Sequence, residues 1–305
     1  MKQLIPKQCI LQVEPYTGGN HKINSDQIVN LASNESAIGP SPKVIDLLKS
    51  PYQAINRYPD GSALLLRRAI SEKYKIEVDK ISCGAGSDEL IDILVRSFAG
   101  VDDEVLYSQY GFLMYPIVAK TNGSIPVAAP EYNFRTDIHS ILSSITKRTK
   151  VILIANPNNP TGSYLTKIEI ELLCREVPKN ILIVIDSAYA EFVEKDDYEP
   201  GIEFVNKYEN LVMTRTFSKL YGLAFLRLGW SYSSKYIAEI INKVRLPFNV
   251  NGLAQKAGIE ALSDSEHEKL IIRNNNKNLS WLTDSLKSIG FEVLPSVANF
   301  ILVKF

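Results

Sequence analysis

The sequence predicts an α/β fold: a large domain whose mostly parallel sheet is flanked by helices, and a smaller α+β domain made from both chain ends. Length and composition are the first observation, because 305 residues with 45% hydrophobic and 22% charged residues are typical of a globular chain of one or two domains. The second is an alternation of short apolar runs with amphipathic stretches, which is typical of βαβ units around a parallel sheet. The third is a change, after about residue 233, to long helical stretches.

Short apolar runs rich in β-branched residues are predicted to be the strands of the large domain. They lie at residues 104–108, 151–155, 181–185 and 211–214, and a further strand is predicted to end at Cys83. Continuous apolarity favours strands that helices cover on both faces of the sheet. We therefore expect these strands at the centre of the molecule.

Helical periodicity marks the segments between and after these runs. Predicted helices cover residues 87–98, 167–175, 235–245, 253–262 and 265–289, and strand-like pieces follow at 291–294 and 299–305. The first forty residues are rich in Pro, Gly and Asn and are predicted to form an arm. We expect the arm and part of the small domain in 1–40, the large ligand-binding domain in 41–250 and the rest of the small domain in 251–305.

Charge and composition exclude several classes of protein. The 34 Lys and Arg residues balance the 34 Asp and Glu residues, whereas binding to nucleic-acid phosphates needs a basic surplus. No apolar run reaches the about 18 residues of a membrane span, and the first residues show no signal peptide. The three cysteines and three histidines are too scattered for a disulfide framework, a metal site or a catalytic triad. These features predict a cytoplasmic protein with reduced thiols that acts on small molecules.

Polar side chains that can carry chemistry follow four of the predicted strands. The segments are GAGSDE at 84–89, NPNNPTG at 156–162, DSAY at 186–189 and RTFSK at 215–219, with Arg227 eight residues beyond Lys219. Ligands of open parallel sheets bind beyond the carboxyl ends of the strands. We therefore expect a lysine, a carboxylate, a phenol, hydroxyl groups and an arginine to converge on one rim of the sheet.

Lys219 is the sharpest candidate for catalysis. It closely follows an apolar strand, and partial burial there would lower its pKa and make its amine a nucleophile for a carbonyl carbon. The alternative is an ordinary surface lysine. Thr216, Ser218 and Arg227 offer two hydroxyls and a guanidinium, which suit a phosphate dianion. A lysine that forms an imine beside a phosphate cage points to pyridoxal 5′-phosphate.

Asp186, Tyr189 and Asn159 would complete such a site. A carboxylate at a strand end can keep a pyridine nitrogen protonated, and the phenol and the amide can hydrogen-bond a ring hydroxyl. Tyr110, after the run at 104–108, could stack on the ring face. Helix capping remains the alternative for Asp186, and a place in the apolar core remains the alternative for Tyr189.

The glycine-rich segment before the helix predicted at 87–98 is a weaker candidate. Gly86 and Ser87 would let an anion approach the N–H groups of a helix start, although an ordinary N-cap explains them equally well. The segment matches neither a P-loop nor a dinucleotide fingerprint. A generic nucleotide-binding module is therefore not favoured.

Taken together, NPNNPTG, DSAY and TRTFSK with Arg227 resemble the fold-type I pyridoxal-phosphate-dependent aminotransferases in order, spacing and position at strand ends. The resemblance runs from Pro15 to Phe305. Within this family, EPYTGG, NRYPDGSA, CGAGSDELID, SQYGFLMY and RTFSKLYGLAFLRLGW are most similar to the histidinol-phosphate aminotransferases. The resemblance implies amino transfer from histidinol phosphate to 2-oxoglutarate, which gives imidazole-acetol phosphate and glutamate in histidine biosynthesis.

The resemblance also implies a role for each candidate residue. Lys219 would be the Schiff-base lysine and would carry the proton between the substrate Cα and the cofactor, while Asp186 pairs with the pyridine nitrogen. Tyr189, the third catalytic residue, would contact the ring oxygen. Asn159 would contact the ring oxygen and the substrate, and Tyr110 would stack on the ring. The residues implied to surround the cofactor phosphate are Gly86, Ser87, Thr216, Ser218 and Arg227.

Two further tyrosines and a homodimer are implied as well. Tyr58, in RYPDG, would reach across the dimer interface to the cofactor phosphate of the partner subunit. Tyr16 would line the pocket for the substrate phosphate. Asn34 and Glu35 resemble the family's Asn-Glu element near the mouth of the active site.

The chain departs from the family pattern at two places. Phe225 stands where the family usually has a small residue, in the segment before Arg227. The family is also expected to continue beyond Phe305 with a strand pair and a helix that supply two substrate-binding arginines, so the small domain is expected to be truncated. Three alternatives therefore stay open: an aromatic aminotransferase, a threonine-phosphate decarboxylase, or a cofactor-binding protein that is inactive without that tail.

Overall fold

A central sheet organises the protein. The structure is a computed structural model that describes residues 4–16, 31–49 and 55–305, and within these ranges the sheet has seven strands in the order β1-β7-β6-β5-β4-β2-β3. The strands are β1 (Ile81–Gly84), β2 (Glu104–Ser108), β3 (Ile125–Ala129), β4 (Thr149–Ala155), β5 (Leu182–Asp186), β6 (Leu211–Thr216) and β7 (Gly229–Ser233).

All strands of this sheet except β7 run in one direction. β7 is antiparallel to both of its neighbours, β1 and β6, and the other neighbouring pairs are parallel. The carboxyl ends of the six remaining strands therefore lie at one rim. This confirms the mostly parallel sheet predicted from the sequence.

Helices pack on both faces of the sheet. The helices of the described ranges are α1 (Gln8–Leu11), α2 (Pro42–Lys49), α3 (Leu64–Tyr74), α4 (Ser87–Phe98), α5 (Met114–Thr121), α6 (Ile138–Ser143), α7 (Lys167–Glu176), α8 (Ile202–Val205), α9 (Lys235–Val244), α10 (Gly252–Leu262) and α11 (Ser265–Ser288). Within the described ranges, none of them combines the length and the apolarity that crossing a membrane requires.

Alternate side chains of the central strands face the two layers of helices. In β5, Leu182 and Val184 share a core with α4, α5 and α9, whereas Ile183 and Ile185 share a core with α2, α3, α7 and α10. Every residue of β5 is buried. The prediction that these strands are covered on both faces is therefore confirmed.

The predicted bounds hold at some elements and shift at others. α4 and β2 begin and end at the predicted residues, but β4 begins at Thr149 rather than 151, and β6 runs on to Thr216 rather than 214. The strands predicted at 291–294 and 299–305 are much shorter. They form a separate antiparallel pair, β8 (Glu292–Val293) and β9 (Val303–Lys304).

The sequence pattern does not predict β3 and β7. β3 contains Pro126 and pairs only with β2 at the edge of the sheet, where a proline is tolerated. β7 reads GWSYS, so aromatic side chains alternate with serines and no continuous apolar run marks it. Trp230 and Tyr232 are nonetheless buried in the core shared with α3 and α10.

α10 packs directly against α2 and α3. A Cβ atom at Gly258 would lie 2.7 Å from Leu228 Cδ2 and 2.9 Å from Leu66 Cδ1, so this close approach requires a glycine. α10 therefore shares its core with elements assigned to the large domain. The division of the chain at residue 250 stays a prediction.

Candidate active site

The carboxyl-terminal rim of the sheet collects side chains from separate segments of the chain. Asp186 is the last residue of β5, and Tyr189 lies in the turn that follows. Asn159 lies in the loop after β4, and Lys219 follows β6. Three of the four strand ends that the sequence predicts to supply one site, those of β4, β5 and β6, therefore carry these side chains.

Tyr189 lies at the centre of a hydrogen-bond cluster. Its hydroxyl accepts hydrogen bonds from Asn159 Nδ2 at 3.3 Å and from Asn34 Nδ2 at 3.2 Å. Its ring packs edge-on against Phe300, with ring centres 5.0 Å apart. Burial raises the pKa of the phenol, so the hydroxyl keeps its proton. Because the oxygen accepts from two amides, the O–H remains available to donate to a ligand.

Lys219 extends toward the arm and Tyr189. Its Nζ donates a hydrogen bond to the carbonyl oxygen of Ser33 at 2.8 Å and lies 5.7 Å from the centre of the Tyr189 ring. Burial lowers the pKa of Lys219 below its ordinary value, because a charge is costly away from water. More of the neutral amine is therefore present near neutral pH, and the neutral amine is the form that attacks a carbonyl carbon.

Asp186 is buried, and a different donor holds each of its two carboxylate oxygens. The Tyr115 hydroxyl donates to Oδ2 at 3.1 Å, and Thr214 Oγ1 donates to Oδ1 at 3.2 Å. Burial raises the pKa of Asp186 to about 6. Both donors are neutral, so the charge of the carboxylate is left for a cationic ligand group such as a protonated pyridine nitrogen.

A cradle suited to an anion lies where α4 begins. Thr216 Oγ1 donates to Ser218 Oγ at 2.9 Å, and Arg227 Nη1 lies 3.5 Å from the same oxygen. Gly86 precedes α4 and has no side chain to cap it. The first N–H groups of the helix, from Ser87 onward, therefore need another acceptor, and an anion is the ligand that helix starts favour.

Two glycines give this cradle its shape. A Cβ atom at Gly86 would lie 2.6 Å from Arg227 Nη2, and the φ of +90° at Gly86 is one that other residues rarely adopt. A Cβ atom at Gly229 would lie 2.4 Å from the Ser87 nitrogen. The Asp88 carboxylate also faces this rim: it accepts a hydrogen bond from Arg227 Nη2 at 3.2 Å and acts electrostatically on Lys219 and Asp186, while Arg227 Nη1 is directed at Ser218. The residues present thus fit a phosphate group.

Tyr110 lies at the same rim with its backbone fixed on both sides. Its N–H donates to Glu131 Oε1 at 3.2 Å, and its carbonyl accepts from Asn158 Nδ2 at 3.2 Å. The ring is 39% exposed and lies 5.2 Å from the Phe134 ring, measured between centres. An anchored backbone and an accessible ring suit stacking on a flat ligand.

Two other predicted residues are exposed rather than built into the cluster. Tyr58 is 81% exposed and stacks on Phe248, with ring centres 4.4 Å apart. Tyr16 is 54% exposed but lies close enough to Tyr189 to act on it electrostatically. Phe225, on the short helical turn before Arg227, is 96% exposed. Among the residues that the structure describes, no contact brings Tyr58 to the candidate site.

The structure also reveals residues that the motifs do not identify. Thr214 donates to Asp186. It lies on β6 two residues before Thr216, and because side chains alternate along a strand, the sequence could have placed both on the same face. Tyr115 has no such signal, because its contact depends on how α5 packs on the sheet. Asn299 Nδ2 donates to the Asn34 carbonyl at 3.0 Å and so connects the end of the chain to the arm.

A buried ion pair lies on the opposite face of β6. Arg215 Nη1 donates to Glu191 Oε1 at 3.0 Å, and both side chains are almost completely buried. The Arg215 guanidinium also lies over the rings of Tyr74 and Trp230, at 4.8 Å and 5.8 Å from their centres. Because Glu191 follows Tyr189 by two residues, the pair fastens the Tyr189 turn to β6.

Thiols and metal-ligating side chains form no cluster in the described part of the chain. Cys83 and Cys174 are buried, Cys9 is partly exposed, and all three are free thiols. Over the same residues, no group of three or more His, Cys, Asp or Glu side chains is arranged to hold a metal ion.

Known proteins share this arrangement of sequence and fold. Residues 26–305 match the model of the family described as aminotransferase class I and II. A histidinol-phosphate aminotransferase of Paramagnetospirillum magneticum is 47% identical over 98% of this chain and 83% of its own length. Its counterpart in Rhodospirillum centenum is 44% identical over 99% of this chain and 83% of its own length.

Solved structures of aminotransferases have a fold similar to that of this chain. The histidinol-phosphate aminotransferase of Sinorhizobium meliloti, in complex with pyridoxal-5′-phosphate, has a TM-score of 0.85 at 28% identity and covers 89% of this chain and 74% of that one. Aspartate aminotransferase of Thermus thermophilus with maleate has a TM-score of 0.79 at 20% identity, covering 89% of this chain and 75% of that one. The second likeness concerns the fold alone, and both confirm the predicted fold class.

Proposed function

Because this chain belongs to the class I and II aminotransferases, we propose that it is a pyridoxal-phosphate-dependent enzyme that transfers the amino group of histidinol phosphate to 2-oxoglutarate. The products are imidazole-acetol phosphate and glutamate, and the step belongs to histidine biosynthesis. The 47% identity to a histidinol-phosphate aminotransferase over nearly the whole chain supports this substrate. The lysine, the carboxylate and the anion cradle at the carboxyl-terminal rim of the sheet support pyridoxal phosphate as the cofactor.

One observation carries the proposal: a desolvated lysine, a desolvated carboxylate and a glycine-shaped anion cradle lie at the same rim of the sheet. The cradle would hold the cofactor phosphate through Arg227, Ser218, Thr216 and the first N–H groups of α4. Lys219 would bind the cofactor covalently, and Tyr110 would stack on its ring. Each of these groups is of the chemical type that this cofactor requires.

Lys219 performs the central steps of the proposed reaction. When bound, pyridoxal phosphate supplies a carbonyl carbon for the lysine and a pyridine ring that accepts electrons. The Lys219 amine would hold the cofactor through that carbon. When it is not bonded to the cofactor, the same amine would take the proton from the substrate Cα and deliver it at the cofactor C4′ atom. Its lowered pKa favours the neutral form that both steps need.

Asp186, Tyr189 and Asn159 act on the ring. The Asp186 carboxylate would keep a proton on the ring nitrogen, and because Asp186 is buried, water would not screen this attraction. The Tyr189 hydroxyl and the Asn159 amide would hydrogen-bond the ring oxygen. The 3.3 Å contact between these two side chains orients them toward each other before a ligand arrives.

Side-by-side assays test the substrate. We expect a kcat/KM for imidazole-acetol phosphate at least about 100-fold above that for phenylpyruvate, because a site that hydrogen-bonds polar groups rejects analogues that lack them. Glutamate added to the cofactor-loaded protein should shift the absorbance toward the pyridoxamine form. Preference for phenylpyruvate would indicate an aromatic aminotransferase, and carbon dioxide from phosphothreonine would indicate a decarboxylase. Cofactor binding without the glutamate shift would indicate a binding protein.

The proposal includes a homodimer in which Tyr58 reaches the cofactor phosphate of the partner subunit. Its support is the exposed stack of Tyr58 on Phe248, which leaves a phenol group facing away from its own chain's core. An exposed pair of aromatic rings is typical of a surface that a partner covers. Tyr58 therefore has the accessibility that a contribution to a second protomer needs.

Mixing two inactive variants tests this arrangement. Tyr58→Ala and Lys219→Ala are each expected to be nearly inactive, but hybrid dimers hold one site with both Lys219 and the partner's Tyr58. Random pairing of equal amounts should therefore restore about a quarter of the wild-type activity. As a control, Lys219→Ala is replaced by the Lys219→Ala/Tyr58→Ala double variant, which should restore nothing. Equal activity in both mixtures would show that Tyr58 does not act across the interface.

Three remaining expectations belong to the same proposal. Tyr16 would line the pocket for the substrate phosphate, and its proximity to Tyr189 supports this place. The chain would divide into an arm with part of the small domain (1–40), a large cofactor-binding domain (41–250) and the rest of the small domain (251–305). The enzyme would work in the cytoplasm, where its free thiols stay reduced.

A further inference from the structure

Tyr115 contacts Asp186 from the side of the helices. It lies in α5, and its hydroxyl donates to Asp186 Oδ2 at 3.1 Å, while Thr214 donates to Oδ1 at 3.2 Å. Each carboxylate oxygen can accept more than one hydrogen bond. Both oxygens therefore keep capacity for a ligand after these two donors have fixed the plane of the carboxylate.

The Tyr115 side chain is itself held in place. It is completely buried, and its ring packs edge-on against Phe112 and Tyr107, with centres 5.8 Å and 6.4 Å apart. A Cβ atom at Gly111 would lie only 3.3 Å from the ring, so the backbone also closes on it. The hydroxyl therefore cannot turn away from Asp186 without moving this packing.

Toward the ionised Asp186 carboxylate, which has no hydrogen to give, Tyr115 is the donor. Burial, together with the nearby carboxylate, raises the pKa of the phenol well above its ordinary value, so the group stays protonated at every working pH. A phenol O–H that points at a carboxylate stabilises the charged form of that carboxylate.

Opposing influences act on the Asp186 carboxylate. The pKa of Asp186 is raised to about 6; burial is the largest cause, and the Asp88 carboxylate from α4 acts in the same direction. Tyr115 from α5, Thr214 from β6 and the Ala188 N–H lower it. The value lies close to neutral pH, so the loss of one donor changes the charge of Asp186 under working conditions.

We propose that Tyr115 is a positioning residue that keeps Asp186 ionised and oriented, so that Asp186 can hold the protonated ring nitrogen of the cofactor. The inference rests on the proposed function for its last step, the grip on the cofactor. Its first step, the control of the charge of Asp186, concerns the protein alone and is tested without cofactor.

Tyr115→Phe removes the hydroxyl and keeps the ring. In apoprotein labelled with ¹³C at the aspartate carboxyls, the Asp186 resonance is identified by its absence in Asp186→Asn and followed against pH. We expect about a tenfold increase in the proton affinity of Asp186 in Tyr115→Phe, because a hydrogen bond to a charged group is lost. Tyr107→Phe, a neighbouring tyrosine whose ring packs on Tyr115, should leave the midpoint unchanged. An unchanged midpoint in a folded Tyr115→Phe protein would overturn the inference.

A second variant covers the case in which Tyr115→Phe does not fold. 3-Fluorotyrosine at position 115 keeps the hydroxyl and makes it a stronger donor, so the proton affinity of Asp186 should fall; a rise or no change contradicts the inference. The cofactor arm measures the dissociation constant of pyridoxal phosphate. In Tyr115→Phe, binding should weaken progressively from pH 8 to pH 6, and a wild-type pH profile would overturn the link to the cofactor. If the wild-type protein binds no cofactor, the proposed function fails, while the apoprotein titration still decides the role of Tyr115.

Discussion

Replacing Lys219 by alanine is expected to abolish covalent capture of pyridoxal phosphate and to lower turnover at least about 10⁴-fold, since the proposed function makes this one side chain both the nucleophile and the proton carrier. The fold should remain, because within the described ranges the Lys219 amine contributes one hydrogen bond, to the Ser33 carbonyl. Its lowered pKa is a cost of burying the charge, and alanine relieves that cost. The apoprotein of the variant should therefore unfold at a temperature equal to or above that of the wild type.

Borohydride reduction followed by peptide mapping measures this prediction. The wild-type protein loaded with pyridoxal phosphate should carry the label on Lys219 alone, and Lys219→Ala should carry none. Lys207→Ala is the matched control, because Lys207 is a half-exposed lysine whose ion pair with Glu171 is long, at 3.9 Å. Label on any other residue of the wild-type protein would remove Lys219 from its proposed role.

Asp186→Asn is expected to raise the free energy of unfolding of the apoprotein and to lower its affinity for the cofactor. The pKa of Asp186 is about 6 in the folded chain against an ordinary 3.8. Between these values the folded state binds more protons than the unfolded state, so stability falls as the pH rises from about 4 to about 6 and stays reduced above it. The difference in pKa corresponds to about 3 kcal/mol. Asparagine has no charge to bury and avoids this loss.

Denaturant unfolding of the two apoproteins checks the stability half of this prediction. Asp186→Asn should be more stable than the wild type by about 1–3 kcal/mol at pH 8, and the gain should vanish near pH 4, where Asp186 is itself neutral. Asp79→Asn, at an exposed pair with Lys235, is the control and should show no such gain. A free energy of unfolding at pH 8 that is lower for the Asp186→Asn apoprotein than for the wild type would contradict the expected cost of burying the Asp186 charge.

Cofactor titration checks the functional half. The same substitution removes the proposed anionic partner of the ring nitrogen, so the affinity for pyridoxal phosphate and the turnover should fall about 10²- to 10³-fold, the usual size of a lost buried charge pair. Opposite signs for apoprotein stability and cofactor affinity would identify Asp186 as a residue retained for function at the expense of stability. Equal losses in both would indicate a structural role instead.

Much of the fold follows from the sequence pattern because its strands and helices differ in period. α4 could be predicted to the residue, since the glycine before it and the end of its apolar face both mark a boundary. β7 could not, because Trp230 and Tyr232 alternate with serines on a strand buried on both faces. Burial there comes from its position between β1 and β6, which is a property of the sheet and not of five residues.

The candidate site divides in the same way. Asp186, Asn159 and Lys219 lie just beyond strand ends, so local sequence was enough to place them at one rim. Tyr115 reaches Asp186 across 71 residues of sequence. No spacing rule connects an α5 side chain to a β5 carboxylate, because the contact is made by the packing of the helix layer. Sequence patterns therefore miss residues such as Tyr115, which contact a site residue only through the packing of a helix on the sheet.

The alternation of side chains along β6 gives the Arg215–Glu191 pair a role in folding. Thr214 and Thr216 project from the face that holds Asp186, and Arg215 projects from the other. A slip of β6 by one residue would exchange these faces, presenting a guanidinium to the site in place of two hydroxyls. It would also leave Glu191 buried without its cation, at a cost of about 3–5 kcal/mol. The Arg215–Glu191 pair thus favours the native register of β6. A chain in which β6 is shifted by one residue would lose this ion pair and would be less stable.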